Sequence, residues 1–261
     1  MILITKIFSH GFTRIITDKE SELDPWLRNL HGLSCVLEAY EREPLYTARL
    51  RMVRRMISRL LDRLEEDNKL HIEEAEALLK ADKGNMYSFD FLAIAVLNRS
   101  MSLTSGSIAL MRSDNYISAV PLIRLQLDNY LRFAASWLVS NPHDFAVKIL
   151  SGIQVRELKT KDGRRMTDQF LVDEFSKNHE WIERVYENTS GYIHLSEKHF
   201  FANTVEFNPE ERTEVFKISD KADNVPDEFK IEAIMAFKEI TKLILHRVYS
   251  WRYMKDNPPA I

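Results

Sequence analysis

From about Ser34 onward, apolar residues recur at every third and fourth position, the period of helices that bury one face. Leu50, Val53, Ile57, Leu60 and Leu64 form the clearest stripe, widened by Met52, Met56 and Leu61. It continues more weakly through Ile72, Ala75, Leu78 and Leu79 until Asp82-Lys83-Gly84-Asn85 supplies a stop. Residues 34–82 therefore read as one long helix, or as a helical hairpin broken near Asp67-Asn68. A second helix is expected over 88–113, with Phe91, Ile94, Ala95, Ile108 and Leu110 on its apolar face. Ser102, Ser105, Gly106 and Ser107 along it leave room for a close neighbour. After a turn at Ser113-Asp114-Asn115, a third helix spans about 116–139, tolerating Pro121 near its first turns, and Asn141-Pro142 stops it. A polar, glycine-containing loop at 156–168 precedes a fourth helix carried by Leu171, Phe175, Ile182 and Val185. Only 204–207 and 214–218 alternate as strands do, on either side of Asn208-Pro209. A last helix starts at Pro226-Asp227-Glu228, where proline and acids suit a first turn, and buries Ile231, Met235, Ile240, Ile244 and Val248.

The pattern predicts a predominantly all-α protein: a helical bundle with a long N-terminal helical arm and at most one short strand pair near 204–218. Its expected organisation is an N-terminal segment and charged arm over 1–85 and a bundle core over 86–261. Composition agrees. Hydrophobic residues make up 45% of the 261 positions, enough for a core, while only 7 Gly and 8 Pro are present. That scarcity counts against all-β and dinucleotide-binding folds, which need glycine at turns and phosphate loops. Cys35 is the only cysteine, which excludes an internal disulfide and a cysteine zinc cluster. The apolar start, 1–8, is interrupted by Lys6 and is too short for a signal-peptide core. The longest unbroken apolar run, 91–97, falls far short of the ~20 residues that cross a bilayer. The expectation is a cytoplasmic protein with no membrane partner. A net charge of −3 makes any basic site a local one.

One stretch concentrates polar chemistry. Tyr186, Ser190 and His194 follow at four-residue steps, so a helix would align a phenol, a hydroxyl and an imidazole, with Ser196 nearby. Such a row could bind an anion or supply a general base; it could equally be a buried polar network that fixes helix register. Arg124 and Asp128, four apart on an apolar helix, form an intrahelical ion pair or, in a sharper version, face His194, with Asp128 holding the imidazole tautomer. The third feature is the arm. Arg49, Arg51, Arg54, Arg55, Arg59 and Arg63 are opposed over 49–63 only by Asp62, and the ladder from Arg51 through Arg55 and Arg59 to Arg63 costs an isolated helix about 1 kcal/mol. Residues 64–82 carry seven acids against Lys69 and Lys80, so the excess of five in each half matches. Internal pairing within a hairpin, or pairing in a homo-oligomer, is the first expectation; phosphate is the rival partner. No metal-binding His-Glu-x-x-His spacing, phosphate loop or nucleophile elbow occurs, so neither metal nor cofactor is expected.

On these residues the chain resembles an uncharacterised family of bacterial helical proteins marked by Arg-x3-Glu and, later, Tyr-x3-Ser-x3-His-x-Ser. Arg124 and Asp128 match the first, with Asp for Glu, and Tyr186, Ser190, His194 and Ser196 match the second. The resemblance covers roughly 90–200. That family is distantly similar to the HEPN helical proteins, many of them metal-independent ribonucleases of toxin or phage-defence systems. The resemblance implies an RNA-binding or RNA-cleaving protein in a stress or defence role. His194 would be the base, Arg124 the phosphate contact and Asp128 the orienting group. Tyr186, Ser190 and Ser196 would bind; Arg51, Arg55 and Arg59 of the arm, outside the resemblance, are binding candidates on their charge alone. The chain departs from the HEPN pattern at Glu187, Asn188 and Thr189, where the arginine preceding the histidine would stand, so Arg124 would have to substitute. The alternative is a non-catalytic binding or assembly module whose polar row orders the core.

Overall fold

The computed structural model describes residues 43–194, 196, 199, 204–208, 213–216, 219, 221 and 225–258. The N-terminal segment 1–33 and Cys35 lie outside the described residues. The protein is predominantly all-α, a helical bundle, as the apolar period predicts. In chain order the helices are α1 (Glu43–Asp67), α2 (Leu70–Lys80), α3 (Ser88–Arg112), α4 (Tyr116–Ala134), α5 (Pro142–Leu150), α6 (Asp168–Ser176), α7 (Trp181–Ile193) and α8 (Asp227–Asp256). Between α7 and α8, β1 (Thr204–Asn208) pairs antiparallel with β2 (Thr213–Phe216), Phe207 facing Glu214.

The chain does break at Asn68, but as a kink and not as a hairpin. Lys69 keeps helical angles (φ −66°, ψ −27°), and helical turns run on from Asn68 N–H to Leu64 O and from His71 N–H to Asn68 O. The Asn68 side chain donates to Ser105 Oγ at 3.0 Å on α3, which pins the bend. Leu61 and Leu64 of α1 and Leu78 of α2 join the same core as the later helices.

α4 is the axis of the bundle, flanked by α3, α7 and α8. Its Ile123 and Leu127 are fully buried and Leu131 is nearly so, each stabilising the fold by roughly 1.5–3 kcal/mol. Asn115 starts it by accepting from Ser118 N–H. Gly106 of α3 faces α4: a Cβ there would make ordinary van der Waals contact with Leu122 Cδ1 at 3.6 Å.

Three expectations change. The buried face of α3 is shifted in its first half: Phe91 is 54% exposed while Phe89, Leu92, Ala93, Val96 and Leu97 are inside, and Ile108 is buried as expected. Asp90, Ser100, Thr104 and Ser107 continue that face, and polar residues that find partners in the core shift the apparent phase. The third helix ends at Ala134 and passes through a 3-10 turn, Ala135–Leu138. Asn141-Pro142 then starts a helix as well as stopping one. The Asn141 side chain accepts from His143 N–H and Asp144 N–H, and Pro142 occupies the first helical position, where no N–H is needed. The expected fourth helix is two, α6 and α7.

Candidate functional site

Asp128 is the centre of the polar constellation. Its carboxylate accepts from Arg124 Nη1 at 2.7 Å and forms an ion pair through its other oxygen with Arg132 Nη2 at 2.9 Å, so Arg124-x3-Asp128-x3-Arg132 runs as an ion-pair ladder along α4. Arg124 and Asp128 are each 8% exposed. The Arg124 guanidinium lies over the Tyr186 ring, 3.9 Å from Cζ to the centroid, so the pair is capped by α7. Arg124 Nε has no hydrogen-bond partner among the described residues. Arg132 is half-exposed and reaches on to Asp168 Oδ1 of α6 at 3.3 Å. The ladder therefore ties three helices together, and the desolvation of Arg124 and Asp128 is offset by their pairing.

The structure brings together Arg124, Asp128 and Tyr186, and leaves His194 apart. Tyr186 and His194 are eight residues apart, about 12 Å along a helix axis. His194 lies just past the last residue of α7 with extended angles (φ −106°, ψ 148°), so it leaves the face that the four-residue steps predict. It is exposed and has no hydrogen-bond partner among the described residues. Asp128 has its two arginines and does not hold the His194 tautomer. Ser190 Oγ donates back to Tyr186 O at 2.5 Å, and Ser196 Oγ to Gly191 O at 2.6 Å. Ser196 N–H donates to His199 Nδ1 at 3.3 Å. Both hydroxyls are thus engaged with backbone carbonyls around the end of α7, where they shape the helix terminus.

A histidine–serine pair does form, elsewhere. His71 of α2 places Nδ1 3.0 Å from Asn68 O and Nε2 2.8 Å from Ser100 Oγ on α3. Because the first partner is a carbonyl, Nδ1 carries the proton and Nε2 accepts from the serine. Ser100 Oγ accepts in turn from Gln126 Nε2 at 2.6 Å, and Gln126 also donates to Thr241 Oγ1 of α8 at 3.0 Å. Burial lowers the His71 pKa below its usual value, the carbonyl of Asn68 opposing it. With His71 2% and Ser100 0% exposed, the pair is closed to substrate and orders the core.

A second closed set lies near the end of α8. Asp90 accepts from Trp251 Nε1 at 2.7 Å, Lys255 Nζ at 3.0 Å and Tyr87 N–H at 2.8 Å, and Lys255 also donates to Leu78 O. Both charged side chains are fully buried. Neither set as a whole carries a local sequence signal, since its links between helices join residues 26 to 177 apart. Arg132 does carry one: it stands four residues beyond Asp128, as Arg124 stands four before.

In the arm, Arg51, Arg55 and Arg59 line a shallow groove of about 320 Å³ with Met52 and Met56. The acids of 64–82 do not pair with Arg51 or Arg55, which corrects the expected internal hairpin. Because α1 and α2 follow one another across a kink, those acids lie beyond the arginines and not alongside. Glu65 pairs with Arg112, as does Asp62; Asp67 pairs with Lys238 and Glu74 with Arg252. Arg49 reaches Glu228 of α8. Arg51, Arg54 and Arg55 are exposed and have no ion-pair partner among the described residues.

No group of three or more histidines, cysteines or acids able to hold a metal occurs among the described residues. No described helix is long and apolar enough to cross a membrane. No family model, curated protein or solved structure matches the chain.

Proposed function

We propose that this protein is a non-catalytic helical binding protein directed at RNA, which it grips by the phosphate backbone along α1. The observation that carries the reading is the set of exposed arginines Arg51, Arg54 and Arg55, which have no ion-pair partner among the described residues, while Glu65, Asp67 and Glu74 are paired with α3 and α8. Six arginines in fifteen residues repel one another, and a polyanion relieves that repulsion while releasing its own counterions. The polar row of α4 and α7 has a positioning role: Arg124 and Asp128 are buried against Tyr186 and hold the two helices in register.

The test is single-stranded RNA binding measured at stepped salt concentrations for the full chain and for Arg51→Glu/Arg54→Glu/Arg55→Glu. Losing three phosphate contacts reduces the slope of log K against log salt by about 2. An unchanged slope removes the reading. Salt-sensitive self-association with no RNA binding replaces it by the assembly reading, in which α1 meets another subunit. Catalysis is the second reading, favoured by the exposure of His194 at the end of α7. RNA cleavage that is lost in His194→Ala at unchanged melting temperature would establish it.

A further inference from the structure

A cleft of about 400 Å³ opens between α3, α4, α5 and the turn Val155–Glu157, on a different part of the bundle from the α1 groove. Its volume lies within the range of small-ligand pockets, roughly 300–1,000 Å³. The geometry points to a binding site for a small dianion with an apolar body, a phosphomonoester in chemical class. This inference is independent of the RNA reading.

Local structure explains why charge gathers here. On α3, Leu92, Val96 and Arg99 follow at helical spacing, so Arg99 stands at the end of an apolar stripe. Arg132 comes from α4 and Arg156 from the turn after α5. Three separate elements thus deliver an arginine to one cavity. Asp168 is the only acid that lines it, leaving a surplus of two positive charges. A phosphomonoester carries about −1.5 to −2 near neutral pH, which matches that surplus; a single phosphodiester link of a nucleic-acid strand carries half as much.

The three arginines are not equivalent. Arg132 is held in place from behind by Asp128 at 2.9 Å and from the side by Asp168 at 3.3 Å, so its position costs little further ordering when a ligand arrives. Arg99 and Arg156 are exposed and have no ion-pair partner among the described residues. They are free to close on an anion with the planar donor fork that suits phosphate oxygens. Beneath them Val96, Phe133, Phe145 and Val155 form an apolar floor, each 8% exposed or less. Inorganic phosphate would leave that floor wet. An aromatic or aliphatic ester would cover it.

Isothermal titration calorimetry of the full chain with 1-naphthyl phosphate, inorganic phosphate and 1-naphthol separates these terms. The expected order is naphthyl phosphate tightest, inorganic phosphate weaker by at least about tenfold and naphthol without measurable binding. In Arg99→Ala/Arg156→Ala the naphthyl phosphate affinity falls by at least about tenfold. The melting temperature of the free protein holds, because both side chains are exposed and unpaired. Arg51→Ala/Arg55→Ala leaves the affinity within twofold. No binding of naphthyl phosphate at millimolar concentration overturns the proposal, as does equal affinity in the Arg99/Arg156 variant. Naphthol binding as tightly as its phosphate, or inorganic phosphate matching naphthyl phosphate, overturns the assignment of the arginines or of the floor respectively.

Discussion

His71, between α2 and α3, has both ring nitrogens engaged and is 2% exposed, whereas His194, just past α7, is exposed and bonded to none of the described residues. The same contrast runs through the charges. Asp90 and Lys255 are fully buried and bonded to each other and to Trp251, Tyr87 and Leu78, while Arg51, Arg54 and Arg55 meet no acid among the described residues. Polar groups inside this bundle hold it together and are closed to a ligand; those at its edges add little to stability and are open to one. A residue type alone does not say on which side of that line it falls.

The contrast is broken most severely at Asp90. Asp90→Ala leaves the Lys255 ammonium and the Trp251 indole N–H without their acceptor in the core, and urea unfolding should register a loss of about 3–5 kcal/mol. Asp128→Ala is expected to cost less, about 2–3 kcal/mol by the same measurement, because Arg132 is half-exposed and retains Asp168. His71 sharpens the comparison through pH. Its folded-state pKa is depressed below 6.5 by burial, so as pH falls through 6.5 the unfolded chain takes up a proton that the folded chain refuses. Stability should therefore drop on acidification, by at most about 1.4 kcal/mol per pH unit, until the folded pKa is reached. His71→Gln should flatten that part of the stability-versus-pH curve. The smallest effect belongs to His194→Ala, which should change unfolding free energy by no more than about 0.5 kcal/mol at any pH.

Much of the fold was legible because helix starts and buried stripes are local. Pro226-Asp227-Glu228 marks the beginning of α8, Asn115 the start of α4, and the alternation at 204–207 the first strand. The misreadings have physical causes of their own. Asn141-Pro142 both ends one helix and caps the next, so α5 was hidden behind its own start signal. The phase of α3 was obscured by Asp90, Ser100 and Thr104, which are polar in composition but buried in fact. At the site, four-residue spacing correctly joined Arg124 to Asp128, since both lie within one helix. It failed for His194, because spacing predicts a common face only while the helix continues, and α7 stops at Ile193. The cleft arginines come from three elements, and no one-dimensional pattern relates Arg99 to Arg156.

The bond from Lys255 to Asp90 spans 165 residues, and that from Arg252 to Glu74 spans 178. During synthesis, α2 and α3 therefore emerge long before the last turn of α8 exists, with the Asp90 carboxylate still without its cation. Until residue 255 arrives, the early helices lack the partners that α8 supplies. Closure of the bundle is a late event, set by its most distant contacts, and a nascent chain halted in the middle of α8 should remain sensitive to proteases.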